Sequence, residues 1–119
     1  MKKVMLLVSR DLWKNLQHIL GGSCTLLPCH DLCTAIELLD RHPDVLVLSL
    51  PLSGMDGLGF LEEYARHLPR RILVLTTFLN NEILETLSRL NVDTVMRMPI
   101  SPACLRKKLD DLCIKKRPS

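Results

Sequence analysis

Ser49 closes the apolar run Val45 to Leu48 within the stretch Pro43 to Gly57, and Ser9, Arg10 and Asp11 close an earlier apolar run, Lys3 to Val8. In a parallel α/β sheet the ligand crevice lies outside the carboxyl ends of the strands, so these are the positions where chemistry is expected. A serine nucleophile needs a base within hydrogen-bond reach. The spacing sets His18, His30, His42 and His67 in or beside helices or on the opposite side, and no base for Ser49 results. Ser49 therefore reads as a small neutral residue that fills its site without burying unpaired charge.

Cys24, Cys29, His30 and Cys33 also lie close together, but their C-x4-C and C-x3-C spacings are not the paired C-x2-C knuckles of zinc sites, and no metal is expected. Five cysteines, an odd number, in a chain without a secretion signal read as reduced thiols, and Cys24, Cys29 and Cys33 as small core residues.

The elements that position these residues follow from the hydrophobic pattern. Lys3–Val8 reads as a first buried strand and Cys24–Leu27 as a short edge strand followed by Pro28. Val45–Leu48, bounded by Pro43 on one side and by Pro51, Gly54 and Gly57 on the other, reads as a central strand buried on both faces. Arg71–Thr76 and Thr94–Met98 give the fourth and fifth strands. Between them the spacing turns helical: Leu12, Leu16, Ile19 and Leu20 after a cap at Asp11, with Gly21-Gly22 as the stop, then Leu32, Ala35, Ile36, Leu38 and Leu39 after a cap at Asp31. The third helix carries Leu58, Leu61, Tyr64, Ala65 and Leu68, from a cap at Asp56 to a stop at Pro69. The fourth carries Ile83, Leu84, Leu87 and Leu90 and closes at Asn91, and the fifth starts at Ser101-Pro102 and uses Leu105, Leu109 and Leu112. Five strands alternating with five helices imply an open parallel sheet covered on both faces. The expected architecture is a flavodoxin-like (βα)5 three-layer sandwich of strand order 2-1-3-4-5, which brings Ser9, Arg10 and Ser49 to one crevice.

At 119 residues the chain makes one domain, and 47% hydrophobic with 24% charged residues is the balance of a soluble globular protein. No apolar run approaches the roughly 18 residues of a membrane helix, so a cytoplasmic protein without membrane contact is expected. The net charge of +3 is scattered apart from Arg106-Lys107-Lys108 and Lys115-Lys116-Arg117, which does not make a nucleic-acid-reading face. Residues 1–114 form the domain; residues 115–119 read as a polar basic tail or the start of a linker.

The stretch from Pro43 to Gly57 resembles the third strand and following loop of two-component receiver domains, P-D-(apolar)4-D-(apolar)-x-(apolar)-P-G-M-D-G, with Ser49 in place of the phosphoaccepting aspartate and Ser53 in place of the loop proline. The resemblance extends from Lys3 to about Ile114. It implies that Ser9 and Arg10 stand where an acidic pair binds a divalent cation, Thr76 where a hydroxyl grips the phosphoryl group, and Met98 where a lysine precedes a typically cis proline. Of these only Thr76 fits the family pattern. Three carboxylates and one ammonium give the family's pocket a formal −2, whereas Ser9, Arg10, Ser49 and Met98 give +1, a change of three units. Magnesium, which demands hard oxygen ligands, has little reason to bind. Asp11 alone, expected as a helix cap, does not rebuild the site, and Arg10 is expected to occupy the cavity the cation leaves. Val95 stands where receivers carry the aromatic of their readout.

The resemblance thus implies a degenerate receiver, or pseudo-receiver: not an enzyme, without cofactor or metal, acting in bacterial signal transduction or transcriptional regulation as a phosphorylation-independent protein-interaction or dimerisation module. Its homodimer face would comprise Asn81, Glu85, Ser88 and Arg89 of the fourth helix, Arg97 of the fifth strand, and Arg106, Lys107, Asp110 and Asp111 of the fifth helix. DNA would be reached only through an output domain outside this chain. The second reading is a sensor that binds an anionic small ligand at Ser9, Arg10, Ser49 and Thr76.

Overall fold

A computed structural model describes residues 3–20, 24–50, 57–90 and 92–114. The elements are β1 (Lys3–Leu7), α1 (Arg10–Leu20), β2 (Thr25–Cys29), α2 (Leu32–Leu39), β3 (Val45–Leu50), α3 (Gly57–Glu63), β4 (Arg71–Thr76), α4 (Asn81–Arg89), β5 (Thr94–Arg97) and α5 (Pro102–Ile114). The strands pair in parallel in the order β2-β1-β3-β4-β5, the flavodoxin-like arrangement expected from the alternating pattern.

β3 is buried along its whole length between β1 and β4. Because successive residues of a strand point to opposite faces, its side chains divide between two cores. Leu46, Leu48 and Leu50 join Met5, Leu7, Ile72 and Val74 under Ala35, Leu38 and Leu39 of α2, Phe60 and Leu61 of α3, and Leu87 of α4. Val45 and Val47 join Val4, Leu6, Leu73 and Leu75 under Leu16 of α1 and Leu105 and Leu109 of α5. Each such side chain contributes about 1.5–3 kcal/mol on burial, and the unbroken aliphatic runs are what such a two-faced sheet requires.

Local chemistry sets the ends of the elements. β2 carries Pro28 inside the strand, beyond the Leu27 at which the sequence pattern ends it; a residue without an N–H is tolerated there because β2 is an edge. Asp31 caps α2 by accepting from the Thr34 N–H at 2.7 Å, as expected. Asn80 caps α4 by accepting from the Ile83 N–H at 2.8 Å, and Ser101 caps α5 by accepting from the Cys104 N–H at 3.2 Å. α2 unwinds through His42, whose φ of 52° is left-handed, directly before Pro43.

Three expectations are corrected. The cap of α1 is Ser9, not Asp11: the Ser9 hydroxyl accepts the Leu12 N–H at 3.3 Å, and Asp11 sits exposed in the first turn. α3 ends at Glu63 rather than near Leu68; Tyr64 and Leu68 still pack on the core, while Ala65 is exposed. A seven-residue helix containing Gly57 and Gly59 has little intrinsic propensity to extend. Leu84 is 41% exposed and takes no place in the core. The residues Gly21, Gly22, Pro51, Ser53, Gly54, Asp56, Asn91 and the tail 115–119, to which turns, caps and a linker were assigned, lie outside the described residues.

Candidate functional site

The strand register brings the expected site residues to one edge of the sheet. Leu7 of β1 is level with Leu48, one residue before Ser49; Ser49 is level with Leu75, and Leu50 with Thr76. Thr76 is in turn level with Arg97 of β5. Ser49 lies inside β3 rather than beyond it and is only 2% exposed. By the alternation of β3 it faces the same side of the sheet as Val47, which is the α1 and α5 side.

Met98, just past β5, donates its backbone N–H to the Thr76 carbonyl at 2.7 Å, and its peptide bond to Pro99 is cis. Its half-buried side chain packs on the apolar cluster beneath α1 and α5. The Thr76 hydroxyl, 1% exposed as a residue, turns to its own loop: it donates to the Phe78 carbonyl at 2.7 Å and accepts the Phe78 N–H at 3.1 Å. Ser9 caps α1, and Arg10 is exposed, which is not the state of a side chain folded into a vacated cavity.

These residues do not fit a divalent cation. A hard cation needs several oxygen ligands, usually with carboxylates among them. The described residues at this edge offer the carboxylate of Asp11, with a committed Ser9 hydroxyl, the cation Arg10 and the thioether Met98 around it. Among the described residues no group of three or more His, Cys, Asp or Glu is arranged to hold a metal.

His30, expected in or beside a helix, stands between β2 and the Asp31 cap of α2. It directly follows β2, and its Nδ1 lies 3.1 Å from the Val8 carbonyl oxygen. β1 still separates it from β3, a distance of roughly 10 Å across two strand spacings. The ring is thus held at the rim without reaching Ser49 as a base. Next to it, Cys29 is buried with its Sγ 3.5 Å from the Leu6 carbonyl oxygen, and burial, reinforced by the Asp31 charge, pushes its thiol up to about 12. Asp31 is held below the usual carboxylate range, first by the Thr34 N–H.

On the β5 side of the sheet Asn81, Glu85, Ser88, Arg89, Arg97, Arg106 and Lys107 are exposed, and Asp110 and Asp111 are half-buried. Val95 packs on the core beneath α2, α3 and α4. Sequence reasoning missed the exposed apolar side chains beside this face: Phe78 at 69%, Leu79 at 40% and Leu84 at 41%. A signal existed for Leu84. Positions 83, 87 and 90 form one helical stripe, and 84 lies about 100° from it.

No protein-family model matches the chain, and no curated protein matches it in sequence. Solved structures do match. A response regulator from Thermotoga maritima superposes with a TM-score of 0.81 at 13% identity, covering 97% of this chain and 99% of that one. A CheY-like receiver domain from Methanospirillum hungatei superposes at 0.83 with 14% identity, covering 93% and 92%. A phosphorylated cyanobacterial phytochrome response regulator superposes at 0.80 with 22% identity, covering 99% of each chain. Identities of 13% to 22% over nearly the full length establish architecture, and the architecture of this chain is that of the response-regulator receiver domain.

Proposed function

We propose that the chain is a pseudo-receiver: a module of two-component signalling or transcriptional control that acts by protein contact, without phosphoryl transfer, cofactor or metal. The observation that carries this reading is Met98, whose side chain packs on the α1 and α5 apolar cluster, on the side of the sheet that the buried Ser49 faces. Phosphoryl transfer depends on electrostatic stabilisation of the transferred group, and a thioether and a neutral hydroxyl supply none. The anion-sensor reading has weaker support, because the Thr76 hydroxyl is engaged with Phe78 and Arg10 is exposed.

The partner in this reading is a second copy of the chain, met through α4, β5 and α5. Both signs of charge occur on that face, as a self-complementary patch requires. The module would work in the cytoplasm, without membrane contact, and reach DNA only through an output domain carried elsewhere. No helix among the described residues is long and apolar enough to cross a membrane.

Light scattering across a concentration series, without magnesium or phosphoryl donor, tests the reading. A mass rising from monomer to dimer, and held at monomer by Arg106→Glu, is the expected result. A strict monomer at high concentration contradicts the homodimer.

A further inference from the structure

We draw no further inference here: the strongest candidate, the exposed apolar surface patch that Phe78 and Leu79 of the loop between β4 and α4 form with Leu84 of α4, carries nothing because nothing in the structure shows what covers it.

Discussion

The hydroxyl oxygen of Ser9 accepts the backbone N–H of Leu12 at 3.3 Å, so this serine, directly before α1, is committed to capping the helix. Aspartate caps as well as serine and adds favourable charge at a helix N-terminus. Ser9→Asp is therefore expected to leave stability unchanged or slightly raised, and Ser9→Ala to cost about 1 kcal/mol. Chemical denaturation measures both. Isothermal titration should find no magnesium binding in Ser9→Asp, because Arg10, Ser49 and Met98 remain around the site.

A carboxylate placed at Ser49 should harm the protein. Ser49 is 2% exposed, and Met98 offers no cation to a carboxylate placed there. Burial raises the pKa of such a group, so Ser49→Asp should cost roughly 2–4 kcal/mol at pH 7. The sign is that of a raised carboxyl pKa: the penalty grows as pH rises from about 4, and lowering the pH restores stability. Denaturant melts at pH 5 and pH 7 measure the difference.

Cys29 makes a prediction at the alkaline end. Its thiol is pushed up to about 12, so the native state keeps the proton while the unfolded chain releases it at lower pH. Its contribution to stability is complete below the ordinary thiol value and is lost as pH rises toward about 12. Cys33 is exposed rather than the core residue expected, as is Cys104, so under native conditions at pH 8 alkylation mapped by peptide mass should label both well before Cys29.

At the acid end, Asp31 is depressed by the Thr34 N–H, so its contribution is present above the ordinary carboxylate value and is lost as pH falls through the folded one. Asparagine keeps the cap without the titration. Asp31→Asn should match the parent at pH 7 and lose less stability below about pH 4, which acid melts followed by circular dichroism will read.

The fold was legible because β3 and its neighbours are aliphatic runs separated by helical spacings, and burial on both faces of a parallel sheet leaves few other arrangements. The cap of α1 was misread because Ser9 and Asp11 are both competent capping residues two positions apart, and only backbone geometry chooses between them. α3 was read too long because Tyr64 and Leu68 do pack on the core, though from beyond the helix, not within it. The contact of His30 with the Val8 carbonyl was not legible, because the pattern ends β2 at Leu27 while the strand runs through Pro28 to Cys29. The exposure of Phe78 and Leu79 had no periodic signal, since loop residues follow neither the helical nor the strand repeat.

The claim that this crevice performs no phosphoryl chemistry is met most directly by incubating the protein with acetyl phosphate and magnesium and measuring its intact mass. The account predicts a mass unchanged at every time point, with Ser49, Thr76 and Asp11 all unmodified. A gain of one phosphoryl group that depends on magnesium and disappears in Ser49→Ala or Asp11→Asn would contradict it.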